Sequence, residues 1–337
     1  MSPFDRLRPL RRAPLAATAL VALAALVVAD ASAADAAPAP PAPLAGFLLE
    51  DGRYQTIEVP GANQTLAFGI DDRGRIAGTF EDADGRLHGF VRDRTGEFRT
   101  IDVPGAYATV ATRTNNRGQV VGDYFATQEQ FEQGLKRGFM LDGGTFIPID
   151  VPDAESTEVV GLDDRGRVVG ETLDLDTSSA RGYLLDDGRF TFITVPGSTF
   201  SGAEEINERG QIAGSYADTA DGPTRGYLLD RGRYTTFAAP GGDITQVFGL
   251  NNRQQIVGYT ADLLFSDIHG YVRTQHDEFT AIDVPDGVNT MALGINDAGA
   301  IVGGYEQANA STQLREGDAQ TASNPLMSAL VTQTTRD

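Results

Sequence analysis

Most of the chain alternates short apolar runs with clusters of Gly, Asp, Asn and Pro. An Asx residue followed by Gly between two apolar runs is typical of a tight hairpin, and Pro ends a strand because it has no N–H to donate. The pattern therefore predicts four short antiparallel strands, A to D, in each unit. The unit from 63 to 104 shows the four runs, at 65–70, 75–80, 89–92 and 98–103.

The same unit recurs along the chain. Strand C begins with Gly and an aromatic residue, and successive copies start 43, 49, 44, 44 and 44 residues apart. A four-stranded repeat of this length is typical of a β-propeller blade. The longest unit is extended at 125–136, where 128–135 can form one helical turn. The six starts are Gly46, Gly89, Gly138, Gly182, Gly226 and Gly270.

The strands that are present at the two ends of the repeat array predict how the array closes. The first copy holds only strands C and D, at 46–59, and the last holds only A and B, at 291–305. Pairing these two halves would complete one blade and cover two open sheet edges. We therefore expect an all-β fold, a six-bladed β-propeller of about 44-residue four-stranded repeats. Its ring would be closed by the N- and C-terminal strands.

The segments outside the repeats predict export. Residues 1–33 combine arginines, an apolar run and an Ala-Ser-Ala site, the pattern of a removed secretory signal. The apolar run is shorter than the roughly 20 residues of a membrane span. Residues 34–45 predict an Ala/Pro-rich linker, 46–308 the propeller, and 309–337 a polar tail. We expect a secreted or periplasmic protein without a membrane span after signal removal.

Composition narrows the choice of partners. The chain carries a formal net charge of −20 and no cysteine. Such an acidic surface repels nucleic acid and anionic lipid and suits cations or basic partners. A repeat domain of this size is large enough to be stable through its core without disulfides. We expect a monomer that binds a protein or polysaccharide and no nucleic acid.

The segment Gly69-Ile70-Asp71-Asp72-Arg73-Gly74-Arg75-Ile76-Ala77-Gly78, followed by His88-Gly89-Phe90, resembles the HAF-type extracellular repeats of secreted bacterial proteins. Residues 294–303 are an equally close copy, and the resemblance covers 46 to about 306. The His-Ala-Phe signature itself is replaced by His-Gly-Phe, His-Gly-Tyr or Arg-Gly with an aromatic residue. The resemblance implies export and a repeat fold, and it supplies no catalytic residues.

Five of the six A–B turns carry an arginine. Because strand A is normally innermost in a propeller, these arginines would encircle one mouth of the channel and bind a carboxylate or phosphate group. The alternative is local pairing with the Asp, Glu or Asn that precedes each of them. The candidate ligand-binding arginines are Arg73, Arg117, Arg165, Arg209 and Arg253.

A second set of cations precedes the strand C glycines. They could form a ring that grips an acidic ligand, but strand C lies far from the axis. Local pairing with carboxylates near strand B, such as Glu81, Asp123, Glu171 or Asp218, is therefore favoured. The set is His88, Arg137, Arg181, Arg225 and His269.

The opposite face carries the D–A and B–C loops. Tyr107 and Phe200 are predicted to be exposed aromatic residues there, suited to sugar or protein contacts, unless each ring folds over its own blade. Asp82 and Asp84 begin a calcium-loop pattern that lacks the later Asx and the closing Glu. The alternative for these loops is a solvated acidic rim.

The sequence offers little enzyme chemistry. Its three histidines have no zinc spacing, and it has neither Gly-x-Ser-x-Gly nor a cysteine nucleophile. The prediction is a secreted, non-enzymatic binding or scaffold module without a cofactor, recognising a cell-surface or extracellular protein or glycan. One alternative is a carbohydrate-active hydrolase or lyase that uses Asp/Glu pairs on the rim. Another is a calcium-stabilised surface protein.

Overall fold

A computed structural model describes residues 43–174, 179–219 and 222–307. These residues form 25 strands and one short helix, which confirms the all-β prediction. No helix in the described ranges is long and apolar enough to cross a membrane. The predicted signal, most of the linker and the predicted tail lie outside the described residues. The last linker residues, Leu44 and Ala45, belong to the first strand.

The elements follow the predicted units. The first two strands are β1 (Leu44–Glu50) and β2 (Arg53–Ile57). Two units follow, with β3 (Gln64–Ile70), β4 (Ile76–Glu81), β5 (Leu87–Arg92), β6 (Phe98–Ile101), β7 (Ala108–Thr114), β8 (Val120–Phe125), α1 (Gln128–Gln133), β9 (Arg137–Asp142) and β10 (Thr145–Ile149).

The second half of the described chain repeats this order with one interruption. It contains β11 (Ser156–Leu162), β12 (Val168–Asp174), β13 (Ser179–Asp186), β14 (Arg189–Ile193), β15 (Phe200–Ser201), β16 (Glu205–Ile206), β17 (Ile212–Ala217), β18 (Arg225–Asp230) and β19 (Arg233–Phe237). The last strands are β20 (Ile244–Leu250), β21 (Ile256–Ala261), β22 (Ile268–Arg273), β23 (Phe279–Ile282), β24 (Gly287–Ile295) and β25 (Ile301–Gln307).

The described strands form small antiparallel sheets in a β-propeller arrangement. Four sheets have four strands each: β3–β6, β7–β10, β20–β23, and β24, β25, β1 and β2. Strands β11–β19 instead form one nine-stranded sheet. The described strands therefore form five sheets rather than the six separate four-stranded blades that the sequence predicts. The A strand after residue 199 is broken into two short pieces, and the first piece pairs in parallel with β13 at Arg181 and Ser201.

The first and last described strands pair with each other. Strand β1 runs antiparallel to β25, from Leu44 opposite Glu306 to Leu49 opposite Ile301. Because β1 also pairs with β2, and β25 with β24, the two termini contribute half of this sheet each. The pairing covers two strand edges that would otherwise lie open.

A hydroxyl group fixes the start of every A strand. The residue before each strand-ending Pro has an N–H that no ladder bond uses, and a Thr or Ser six residues later accepts it at 2.9–3.1 Å. A buried N–H that is satisfied in this way avoids a desolvation penalty. The accepting residues are Thr65, Thr109, Thr157, Ser201, Thr245 and Thr290.

Candidate functional site

The A strands contact one another from unit to unit, β24 with β3 included, so they surround the axis. Each A strand ends in a turn that opens with Asp or Asn. At the first such turn, Asp71 Oδ1 accepts the N–H groups of Arg73 and Arg75 at 3.0 and 2.8 Å. This Asx turn is the local structure that the Asx-Gly signal predicts. The turn ends of the A strands therefore form one mouth of the axis.

A first belt of hydrogen bonds links neighbouring turns. Where the turn opens with Asn, its side-chain amide donates to the backbone oxygen of the next turn. Where it opens with Asp, which has no N–H to donate, the arginine four residues later donates instead and also pairs with that Asp. The amide donors are Asn115, Asn207, Asn251 and Asn296, at 2.9–3.2 Å, and the arginine donors are Arg75 and Arg167, at 2.7 and 3.5 Å.

A second belt joins the next residue of each turn. In every turn, this residue donates its backbone N–H to the side chain of the equivalent residue one unit further on, at 2.6–3.0 Å. The sixth bond runs from Asp297 N–H to Asp72 Oδ1 and connects the last turn with the first. The members of the belt are Asp72, Asn116, Asp164, Glu208, Asn252 and Asp297.

An ion pair fills the axis directly beneath these belts. Arg113 is 4% exposed, and its Nε donates to Glu205 Oε2 at 2.6 Å. Its other nitrogens donate to backbone oxygens of four residues that lie at register shifts or beside them, at 2.6–3.1 Å. The side chain thus contacts A strands across the whole width of the axis. The four accepting oxygens belong to Phe68, Thr112, Phe248 and Leu293.

Glycine occupies the position of Arg113 and Glu205 in the other four units. A Cβ on Gly294 would lie 2.6 Å from Phe68 O and 3.0 Å from Gly69 Cα, both backbone atoms that cannot give way cheaply. The axis is therefore too crowded for a side chain at these positions. The two positions of the six without glycine hold Arg113 and Glu205, whose opposite charges pair with each other.

The mouth above the Arg113–Glu205 pair is shallow and polar. It holds about 80 Å³ and is lined by residues of both belts. Six carboxylates line it, and the four that belong to the second belt accept hydrogen bonds from backbone or amide N–H groups. Burial, together with the charges of Asp163 and Asp164, raises the pKa of Glu208. The four are Asp72, Asp164, Glu208 and Asp297.

The five predicted mouth arginines are all exposed at the turns. Within the described ranges, none of their guanidinium groups forms a hydrogen bond or an ion pair. Local pairing is not seen at these turns, because the preceding Asp, Glu or Asn accepts the backbone N–H of the preceding unit in the second belt. These arginines are Arg73, Arg117, Arg165, Arg209 and Arg253, and the charge of Arg165 acts on the nearby Glu208 carboxyl group.

The cations before the strand C glycines do not converge. His88 contacts Asp82 at 3.1 Å and Asp102 at 3.0 Å, and Arg225 contacts Asp218 at 3.5 Å. The favoured local pairing is confirmed at these positions. Two others pair with a carboxylate that follows strand D, Arg137 with Asp150 and His269 with Asp283, while Arg181 lies 4.4 Å from the centre of the Phe192 ring.

The two aromatic candidates differ in exposure. Phe200 is 2% exposed and packs with Ala180 and Ala217, so its predicted exposure is wrong. Its short strand pairs with β17, which turns the ring into the core. Tyr107 is half-buried, with its ring 5.4 Å from that of Phe131.

The two metal candidates lie in a B–C turn. Asp82 Oδ1 accepts the N–H groups of Asp84 and Arg86, both at 2.9 Å, and its Oδ2 contacts His88. The oxygens of Asp82 therefore hold its own turn. Within the described ranges, no group of three or more His, Cys, Asp or Glu side chains is arranged to hold a metal ion. Calcium binding stays a prediction.

Sequence reasoning missed the axial pair. The signal was present, because Arg113 and Glu205 are the two departures from Gly at one position of the repeat. It also missed the pairing rule of the first belt. Asp is followed four residues later by Arg at 71 and 163, whereas Asn is followed by Gln or Ala elsewhere.

Comparisons with known proteins bear on the fold. No protein-family model and no curated protein sequence matches the chain. A protein assigned as TolB from Agrobacterium tumefaciens is 11% identical with a TM-score of 0.57, covering 80% of this chain and all of that chain. TolB from Acinetobacter baumannii is 13% identical with a TM-score of 0.52, covering 81% and 66%. A lectin of Aleuria aurantia is 14% identical with a TM-score of 0.44, covering 76% and 91%. The two TolB structures show that the chain has a β-propeller fold.

Proposed function

We propose that this protein is a non-enzymatic binding module that recognises an anionic group on a cell-surface or extracellular ligand. The face that carries the A–B turns would make the contact. The observation that carries the proposal is the set of five exposed arginines whose neighbouring carboxylates and amides are already used by the second belt.

The five arginines lie around the rim of the mouth, and none of them is among the residues that line its centre. The four mouth carboxylates repel an anion from the axis, so an anionic ligand would lie across the rim. There a guanidinium group can bind a carboxylate or phosphate through two parallel N–H bonds. The favoured ligand is a glycan that carries uronate groups, or an acidic stretch of a protein.

The same face argues against the hydrolase alternative. A glycosidase needs two carboxyl groups about 5–10 Å apart, one of them free to give up a proton. The mouth carboxylates instead accept backbone N–H bonds from the preceding turn, which hold each of them in the second belt. The plug of Arg113 and Glu205 also closes the axis below them. A binding surface needs no such proton donor.

We further infer a closed ring of six blades. The nine-stranded sheet contains two successive A-to-D sets, β11–β14 and β15–β19, joined by a single residue pair. The pairing of β1 with β25 and the bond from Asp297 to Asp72 support closure between the two ends. A rigid ring of this kind suits a scaffold that presents loops and turns.

Export and membership of the HAF-type repeats are part of the proposal. The charged and apolar pattern of residues 1–33 supports a secretory signal, and the repeated turn segments support the family. Cell fractionation of a tagged full-length chain tests export. Protein retained uncleaved in the cytoplasm would contradict it.

The proposed function is tested by thermal melts with a panel of soluble probes. Binding to the native state raises the midpoint by mass action. Polygalacturonate is expected to raise it, while neutral dextran and EDTA leave it unchanged. A shift with dextran but not with polygalacturonate would contradict recognition by arginines. A shift with calcium alone would favour the calcium-stabilised alternative.

A further inference from the structure

The nine-stranded sheet contains an irregular junction. Its broken A strand leaves Gly202, Ala203 and Glu204 without strand structure between β15 and β16. At this break the carboxyl groups of Glu204 and of Glu171 from β12 converge beside Gly202, close enough to share a hydrogen bond. The two carboxyl groups therefore meet between two successive A-to-D sets of strands.

Both carboxyl groups fill space that a longer side chain occupies in the other units. A Cβ on Gly202 would lie 1.9 Å from Glu171 Oε1 and 2.8 Å from Glu204 Oε1. The other A strands carry Leu66, Val110, Glu158, Gln246 and Met291 at the position of Gly202. Glycine at 202 thus makes room for the carboxyl pair.

The hydrogen bond between the two groups requires a proton. A carboxylate has only acceptors, so two ionised groups in contact would repel each other and share no hydrogen bond. The protonated form of one group supplies the donor. Glu204 is 6% exposed, and the carboxyl group of Glu171 lies beside it at Gly202.

The surrounding cations do not neutralise the pair. Lys136 lies 3.0 Å from Glu158 and 3.9 Å from Asp123, and Arg113 is bound to Glu205. Two cations therefore face five carboxyl groups in this region. The ionisable groups around the pair are Glu158 of β11, Asp123 of β8, Lys136 before β9, Arg113 of β7, Glu205 of β16, Tyr183 of β13, Tyr227 of β18 and Tyr259 of β21.

We propose that Glu171 and Glu204 form a proton-dependent latch across this junction, closed while they share a proton and weakened when both are ionised. The hydroxyl groups of the three neighbouring tyrosines donate no hydrogen bond to this carboxyl pair among the described residues. Tyr183 and Tyr227 donate to the backbone oxygens of Glu158 and Gly202 at 2.9 and 2.6 Å, and Tyr259 Oη has no hydrogen-bond partner among the described residues.

The pH range of the latch follows from its surroundings. Burial, with a further contribution from Glu158, raises the pKa of Glu204 to about 7. Burial and the charges of Glu204 and Glu158 raise the pKa of Glu171 well above its usual range. Since the folded state holds protons that the unfolded chain has lost, stability is present at acidic pH and falls as pH rises through neutrality.

Urea unfolding from pH 5.5 to 8.5 tests the latch through Glu204→Gln. The Gln amide can donate to the Glu171 carboxylate without a proton, so this variant mimics the closed latch. For each extra proton bound by the folded wild type, its unfolding constant should rise about tenfold per pH unit. The variant should show a shallower rise and exceed the wild type in stability at pH 8.5.

Glu132→Gln, an exposed change on α1, is the matched control and should keep the wild-type slope. If Glu204→Gln keeps that slope as well, the latch does not exist. Hydrogen exchange of the unsubstituted protein gives a second measurement that needs no variant. After correction for the intrinsic rate, amides at 201–206 should lose protection at least tenfold between pH 6 and 8.5, and unchanged protection would overturn the proposal.

Discussion

Removing the axial guanidinium should be among the most damaging single changes in this fold. Arg113→Ala deletes the partner of Glu205, which is 8% exposed, and five hydrogen bonds with it. Breaking a buried ion pair by removing one partner costs about 3–5 kcal/mol, because the other charge stays buried without compensation. That cost is a large fraction of the roughly 5–15 kcal/mol that holds a typical protein folded.

Urea denaturation at pH 7 measures this cost. The midpoint should fall sharply for Arg113→Ala, while the slope of free energy against urea stays near the wild-type value. Arg117→Ala is the matched control, because it removes an exposed arginine only four residues away and should change stability by no more than about 0.5 kcal/mol.

A double-mutant cycle with Glu205→Ala separates the pair from the backbone contacts. The double variant should be more stable than the sum of the single losses predicts, by about 0.5–3 kcal/mol, because neither charge is then left alone. An Arg113→Ala cost below about 1 kcal/mol, or fully additive losses, would show that this pair does not hold the axis.

The other structural features give three further predictions. Asn251→Asp removes the amide that donates to the next turn and should destabilise the protein by about 1–3 kcal/mol. Adding Gln255→Arg rebuilds the arrangement of the Asp turns, and it should restore most of the lost stability in urea melts. Gly294→Ala places a Cβ against backbone atoms and should cost about 1–3 kcal/mol in the same assay, and a neutral result would refute the crowding argument. Thr157→Val leaves a buried N–H without its acceptor at 2.9 Å and should cost about 1–2 kcal/mol, while Thr191→Val on exposed β14 should cost little.

The strands and turns could be predicted from the sequence because their signals are local. An Asp such as Asp71 bonds N–H groups two and four residues away, so the turn is encoded within five residues. The position of the helical turn at 128–133 is equally local, since Thr127 caps it and Gly134 ends it in a left-handed conformation. These features need no knowledge of the neighbouring units.

The site could not be predicted because its bonds join residues about 44 positions apart. Asp72 and Asn116 look like local partners for the arginines that follow them, yet each side chain is used by another turn. The merged sheet has a similar origin. Glu171 and Glu204 meet beside Gly202 only after folding, and nothing in either segment alone indicates the break in the strand.

The proposal that the turn arginines bind an anionic ligand is tested most directly by titration calorimetry with polygalacturonate. The triple variant Arg117→Gln, Arg165→Gln and Arg209→Gln removes three charges at the mouth. Its control removes three exposed arginines from the outer strands β2, β6 and β14, by Arg53→Gln, Arg99→Gln and Arg189→Gln. We predict at least a tenfold weaker affinity for the mouth variant and an unchanged affinity for the control. Equal affinities of both variants and the wild type, or no binding by any of them, would contradict the proposal.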